Sequence, residues 1–80
     1  MSYKYIEFRI IEKKSKTNVY ECLNKNGGYG IGTIKWYPAW RQYVYTPYED
    51  TVYSQGCLND ISDFIGKIKR LEPQEAKRDG

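Results

Sequence analysis

The fold of this chain is decided by residues 30–47, which read Gly-Ile-Gly-Thr-Ile-Lys-Trp-Tyr-Pro-Ala-Trp-Arg-Gln-Tyr-Val-Tyr-Thr-Pro. β-Branched and aromatic residues dominate both halves of this stretch, which suits a pleated and half-buried surface. Side chains alternate between the two faces of a strand, so Ile34 and Trp36 share one face. In the second half, one face carries Arg41, Tyr43 and Tyr45. The stretch therefore predicts a β-hairpin.

Pro38 determines the turn of this hairpin. Its ring holds φ near about −65°, so it cannot occupy the positive-φ positions of a two-residue type I′ turn. We expect a longer loop over residues 37–40, with Pro38 in the second position of a type I turn. Pro47 ends the second arm, because proline cannot donate to a strand ladder.

Two further strands are predicted before the hairpin. Residues 3–12 alternate in polarity and predict the first strand. Residues 18–24 predict the second, with Tyr20 and Cys22 facing inward because the charged Glu21 lies between them. A polar turn at 13–17 joins these strands. The Lys-Asn-Gly-Gly sequence at 25–28 predicts a tight hairpin, because Asn-Gly accepts positive φ at both central positions.

An amphipathic helix is predicted after Ser54, which is a good N-cap residue. The hydrophobic period changes there from about 2 to about 3.6 residues. The apolar stripe consists of Cys57, Leu58, Ile61, Phe64, Ile65, Ile68 and Leu71. The opposite stripe consists of Asp60, Asp63, Lys67 and Arg70, and it contains a favourable i,i+4 pair between Asp63 and Lys67. Pro73 ends the helix, and residues 73–80 are expected to form a disordered polar tail.

Together these elements predict an α+β fold, in which an antiparallel meander of about four strands carries one C-terminal amphipathic helix on one face. We assign residues 1–72 to this single domain. The expected core consists of Ile6, Phe8, Ile10, Cys22, Ile34, Trp36, Val52, Leu58, Ile61, Ile65 and Ile68. The other face of the sheet has no second helix to cover it. It should expose tyrosines, lysines and Arg41 to solvent or to a partner.

The hairpin and the helix also carry a specific residue pattern. It reads Gly32-x-Ile34-x-Trp36-Tyr37-x-x-Trp40-Arg41-x-Tyr43-x-Tyr45-x-Pro47, followed by Cys57-Leu58-x-x-Ile61-x-x-Phe64. This pattern resembles that of a family of small uncharacterised proteins from prokaryotes and their viruses, in which Phe often stands where Tyr45 stands here. The resemblance covers about residues 17–71. It brings no known activity, so it implies no functional role for any residue.

Composition makes several classes of protein improbable. Histidine is absent, so the commonest general base and metal ligand is missing. We expect no enzymatic activity, no metal site and no cofactor. Cys22 and Cys57 are too few for a disulfide scaffold and are expected to be buried free thiols, with a single bridge between them as the alternative. No long apolar run suggests a signal peptide or a membrane span, so a cytoplasmic location is expected.

A binding function is the remaining expectation. The net charge of +3 permits a nucleic-acid partner without requiring one. Basic residues interleaved with aromatic ones provide both phosphate neutralisation and base stacking. The candidate nucleic-acid-binding residues are Lys35, Tyr37, Trp40, Arg41 and Tyr43 of the hairpin, together with Lys13, Lys14 and Lys16 of a separate turn.

We therefore expect a small non-catalytic module that binds double-stranded DNA or another nucleic acid through the uncovered face of the sheet. The alternative is a protein-binding module or a homodimer, such as a viral or mobile-element protein that modulates a host factor. Tyr, Trp and Arg are the residues that dominate protein interfaces as well, so the sequence leaves both hypotheses open.

Overall fold

Four antiparallel strands and one helix make up the part of the chain that the computed structural model describes, residues 3–71 without the side chains of residues 70 and 71. The elements are β1 (Ile6–Lys13), β2 (Asn18–Asn24), β3 (Gly30–Tyr37), β4 (Gln42–Pro47) and α1 (Gln55–Leu71). The strand order is β1-β2-β3-β4. The predicted α+β meander with a C-terminal helix is therefore confirmed. The predicted tail at 73–80 and the domain boundary at 72 lie outside the described residues.

The meander places successive turns at opposite ends of the sheet. The β1–β2 turn follows the pair Lys13↔Asn18, and the β3–β4 turn follows the pair Tyr37↔Gln42, so both turns lie at the same end. The β2–β3 turn lies at the other end, beside the start of α1. Because neighbouring strands lie about 4.8 Å apart, the β1–β2 and β3–β4 turns are separated by about 10 Å across the sheet.

The core lies between α1 and the face of the sheet that it covers, here called the inner face. The strand residues on this face include Ile6, Phe8, Tyr20, Cys22, Ile34, Trp36, Tyr43 and Tyr45. The side chain of Phe8 stacks on Phe64 of the helix, with ring centroids 4.0 Å apart and an interplanar angle of 2°. Tyr20 and Cys22 point inward as predicted, and Cys22 is fully buried.

The local features predicted for the helix are also present. Ser54 caps α1, because its Oγ accepts a hydrogen bond of 3.2 Å from the backbone N–H of Cys57. The ammonium of Lys67 lies 3.4 Å from the carboxylate of Asp63, one helical turn away. Cys57, like Cys22, is a buried free thiol, which confirms the first of the two alternatives for the cysteines.

Three residues assigned to the core by sequence are exposed instead. Val52 is 89% exposed, because its neighbour Tyr53 turns inward and alternation then directs Val52 outward. Leu58 is 53% exposed, because it lies one position beyond the inward-facing Cys57 and so on the flank of the helix. Ile10 is 44% exposed on the outermost strand, at the start of a β-bulge that interrupts the β1–β2 register.

The start of β1 and the conformation of the β2–β3 turn also differ from the prediction. β1 begins at Ile6 and not at residue 3, because the segment before it bends toward the helix: the backbone N–H of Tyr5 donates a 2.9 Å hydrogen bond to Asp60 Oδ2. In the β2–β3 turn the positive φ angles fall on Gly27 (123°) and Gly28 (76°), so positive φ is confirmed for Gly27 of the predicted Asn-Gly pair and was wrong for Asn26.

Candidate nucleic-acid interface

The β3–β4 turn presents the most exposed aromatic residue of the hairpin. The backbone N–H of Trp40 donates a 3.1 Å hydrogen bond to the carbonyl of Tyr37, which places Pro38 in the second position of the turn as predicted. The backbone N–H of Arg41 donates to the same carbonyl at 2.8 Å. The chain therefore makes a tight four-residue loop, and Trp40 at its tip is 65% exposed.

Arg41 belongs to this turn, and the prediction that it shares a strand face with Tyr43 and Tyr45 was wrong. Its φ is 56°, in the left-handed region, and β4 begins only at Gln42. A turn that returns the chain to the pair Tyr37↔Gln42 needs one residue with positive φ, and Arg41 occupies that position. Its side chain is exposed at the tip of the hairpin.

Tyr43 is a core residue, so its assignment to the binding surface was wrong. It is paired directly with Trp36 across the hairpin and is 6% exposed. The two rings pack edge to face, with centroids 5.4 Å apart and an interplanar angle of 81°. The signal was present in the sequence, because a loop with an even number of residues puts Tyr43 on the same face as Trp36.

The middle of the outer face, which lies opposite the helix, is covered by the protein's own side chains. Glu21 accepts a 3.0 Å hydrogen bond from Arg9 Nη2 on one oxygen and a 3.0 Å hydrogen bond from the Tyr48 hydroxyl on the other. Burial, followed by this bond to Glu21, raises the pKa of the Tyr48 phenol. This network lies over the centre of the sheet, so the outer face is not the open aromatic surface that the sequence suggested.

A groove of about 380 Å³ remains beside the β3–β4 turn. It is lined by Lys35, Tyr37, Trp40, Val44, Tyr45 and Thr46. Tyr37 is 40% exposed and packs edge to face against Trp40, with ring centroids 5.0 Å apart and an interplanar angle of 81°. Three predicted site residues, Lys35, Tyr37 and Trp40, are thus brought together around one groove.

The lysines of the β1–β2 turn lie at the same end of the sheet as this groove. We call this end the basic end and define it by Lys13, Lys14, Lys16, Lys35 and Arg41. All five side chains are exposed, and among the residues that the structure describes none of the five forms an ion pair. Among the described residues, Glu12 is the carboxylate that adjoins these turns in the sequence. The two turns were predicted to be separate, but the first and third turns of a meander lie at the same end of its sheet.

The opposite end of the sheet has a mixed charge. It carries Glu49 and Asp50 as well as Lys4 and Lys25. A depression of about 370 Å³ lies there, but its two lysines already have contacts: Lys25 Nζ donates to the carbonyl of Tyr3, and Lys4 Nζ lies 5.4 Å from the centre of the Tyr5 ring. The net charge of the chain is therefore distributed unevenly, and the basic end is where cations and exposed aromatic rings coincide.

Other kinds of site find little support in the described region. Within residues 3–71, no three His, Cys, Asp or Glu side chains come together in a way that would hold a metal ion. Over the same residues, the helix is too short and too polar to cross a membrane.

Comparison with known proteins identifies a relative from a bacterial virus. No family model matches the chain, and no solved structure matches it significantly. The chain is 32% identical over 74 residues to an uncharacterized 9.3 kDa protein of Acholeplasma phage L2, and the match covers 91% of this chain and 95% of the relative. This agrees with the resemblance to small uncharacterised viral and prokaryotic proteins, whereas the finer residue pattern stays a prediction. The chain belongs to the family of this small phage protein.

Proposed function

We propose that the protein is a non-catalytic nucleic-acid-binding module whose binding surface is the basic end of the sheet. The observation that supports this most directly is the coincidence, at one end, of five exposed cations with the exposed pair Tyr37 and Trp40. Cations neutralise phosphates, and aromatic rings contact bases or sugars. DNA is the nucleic acid to test first, as the sequence indicated.

The proposed surface differs in position from the one that sequence alone suggested. The centre of the outer face is closed by the network around Glu21, whose side chain is 18% exposed. A carboxylate at that place also repels phosphate. The two turns, by contrast, present their cations about 10 Å apart at one end of the sheet.

Salt dependence provides the test of this proposal. Each phosphate that a bound cation neutralises contributes about −0.7 to −0.9 to the slope of log K against log salt concentration. Fluorescence anisotropy of a labelled DNA oligonucleotide, titrated with the protein at several salt concentrations, should give a slope of roughly −3 to −4 if most of the five cations participate. Absence of binding at low salt would refute the proposal.

Charge-matched variants test the position of the site. The double variant Lys14→Ala and Lys16→Ala removes two cations from the basic end, and Lys4→Ala with Lys25→Ala removes two exposed cations from the opposite end. Both variants have the same net charge. The first should weaken binding and reduce the slope by about 1.5, while the second should leave the slope unchanged. An equal loss in both would mean that net charge alone is responsible and would contradict the assignment.

Protein binding is the second candidate, and one observation favours it. Ile10 and Ile11 are 44% and 49% exposed on β1, which is an edge strand of the sheet. An exposed apolar edge strand can pair with another chain. The bulge between Ile10 and Glu12 interrupts the ladder at this place, however, and bulges oppose edge-to-edge pairing. Light scattering across a range of protein concentrations, with Ile11→Lys as the comparison, tests this candidate through the mass of the particle.

A further inference from the structure

The indole of Trp40 has a face available for stacking. The edge-to-face contact with Tyr37 involves either an edge of the indole or one of its two faces, so at least one face is not used by that contact. With 65% of its surface exposed, Trp40 is also the most exposed of the aromatic residues at the basic end. A flat apolar surface presented to solvent in this way matches the π-face of a nucleobase.

The groove beside Trp40 is suited to a small unit. Its volume of about 380 Å³ lies at the low end of the range for small-ligand pockets. Lys35 brings a cation to its wall, Thr46 brings a hydroxyl group, and Val44 brings an apolar surface. This combination fits one base with its attached phosphate, whereas it cannot enclose a base pair.

The shape of the basic end argues against insertion into a duplex. Four strands at about 4.8 Å spacing make this end about 14 Å wide between the outer backbones, before side chains and the helix layer are added. The major groove of B-DNA is about 12 Å wide and accepts a helix or a two-stranded ribbon. The end of this sheet is therefore too wide to enter the groove, and stacked bases in a duplex would offer no face to Trp40.

From these observations we infer that the basic end binds single-stranded nucleic acid, with one unpaired base stacked on Trp40 in the groove and neighbouring phosphates on Lys35 and the β1–β2 lysines. This inference rests on the proposed function and specifies its ligand. Charge complementarity favours the sugar-phosphate backbone of the nucleic acid, and the exposed indole favours an unpaired base over a paired one.

Three probes of about 12 nucleotides separate the contributions to binding: single-stranded oligothymidine, an abasic strand with the same number of phosphates, and a duplex of the same length. Anisotropy titrations at one fixed salt concentration measure all three. Stacking of one base should make oligothymidine bind roughly 5- to 150-fold more tightly than the abasic strand. It should also bind more tightly than the duplex.

Variants at two exposed aromatic residues connect this preference to the indole. Trp40→Ala should abolish the difference between oligothymidine and the abasic strand, and Trp40→Phe should retain part of it. The matched control is Tyr29→Ala, because Tyr29 is 57% exposed but belongs to the turn at the opposite end of the sheet. Circular dichroism confirms that each variant is folded.

The outcomes distinguish the inference from the function on which it rests. If no probe binds at low salt, both are wrong. If the duplex binds as well as oligothymidine, or if Trp40→Ala has no more effect than Tyr29→Ala, the single-strand inference is overturned while nucleic-acid binding stands. A preference for oligothymidine over both other probes that disappears in Trp40→Ala alone supports the inference.

Discussion

Gly32 is the residue whose replacement tests the packing of the hairpin most severely. It lies on β3 opposite Cys22 on one side and Pro47 on the other. The ring of Tyr45 crosses directly over it, so a Cβ atom at this position would lie 2.6 Å from Tyr45 Cζ and 2.7 Å from the carbonyl oxygen of Thr46. Glycine is therefore required here by the close approach of the ring and the neighbouring backbone.

The expected cost of Gly32→Ala follows from these contacts. Forcing a methyl group into a packed core costs about 1–3 kcal/mol. Displacing the ring also threatens the 2.5 Å hydrogen bond between the hydroxyls of Tyr45 and Tyr53, which contributes about 0.5–1.5 kcal/mol. Alanine also lowers the conformational entropy of the unfolded chain, which stabilises the folded protein by about 0.4–1 kcal/mol. The variant should thus lose about 2 kcal/mol of unfolding free energy, within a range of about 0.5–4 kcal/mol.

Urea denaturation followed by tryptophan fluorescence measures this loss, and Gly66→Ala is the matched control. Gly66 lies inside α1, and a Cβ atom there meets nothing within 4 Å, so the control should gain about 0.5–1 kcal/mol from helix propensity. In a Tyr45→Leu background, the cost of Gly32→Ala should shrink by about 1 kcal/mol or more. A change below about 0.5 kcal/mol for Gly32→Ala would mean that the Tyr45 ring and the Thr46 carbonyl make room for the methyl group without loss of packing.

The other predictions concern the core, a thiol and the turn. Ile61→Ala should lose about 2–5 kcal/mol of unfolding free energy, because Ile61 is 4% exposed. Leu58→Ala should lose less than about 1 kcal/mol, because Leu58 is 53% exposed. Urea denaturation measures the unfolding free energy of both variants. Burial raises the pKa of the Cys22 thiol from its ordinary 9.0 to about 12. The unfolding free energy should therefore fall as the pH rises through this interval, because the thiol loses its proton in the unfolded chain first. In Cys57→Ser, the remaining Cys22 thiol should react with an alkylating reagent only when the protein unfolds. Arg41→Gly should raise the unfolding free energy by up to about 1 kcal/mol, because glycine adopts a φ of 56° without strain. Arg41→Ala should leave the unfolding free energy nearly unchanged. Both variants should weaken DNA binding in the anisotropy assay.

The elements of the fold were predictable because their signals are local. Alternation marks the strands, the N-cap Ser54 marks the start of the helix, and Pro38 marks the turn. The errors concern relations between elements. Leu58 satisfies the helical period, yet it is exposed. The side of α1 on which it lies faces solvent because of the way in which the helix packs across the sheet. Periodicity defines the stripe to within about one residue and does not define that packing.

The candidate site was predictable in part, for the same reason. Residue type indicated which side chains suit a nucleic acid, and Lys35, Tyr37 and Trp40 do line one groove. The meeting of the two turns is a consequence of the strand order, and the covering of the outer face is a consequence of the contacts between Glu21 and its partners. Both depend on residues far apart in the chain, so neither is contained in a local pattern.

The pattern of residues 32–47 divides into two groups once the structure is known. Gly32, Ile34, Trp36, Tyr43, Tyr45 and Pro47 form directly opposed pairs across the hairpin. Packing against α1 and across the strands accounts for Ile34, Trp36 and Tyr43, so these three residues carry no evidence about function.

Tyr37, Trp40 and Arg41 form the second group, and packing does not account for them. Trp40 leaves 65% of its surface in water, where a polar residue would be less costly. Arg41 occupies a left-handed position, where glycine would be less strained. Residues that oppose both local preference and burial tend to be retained for binding or catalysis. The strain at Arg41 and the exposure of Trp40 thus add to the support for the proposed surface.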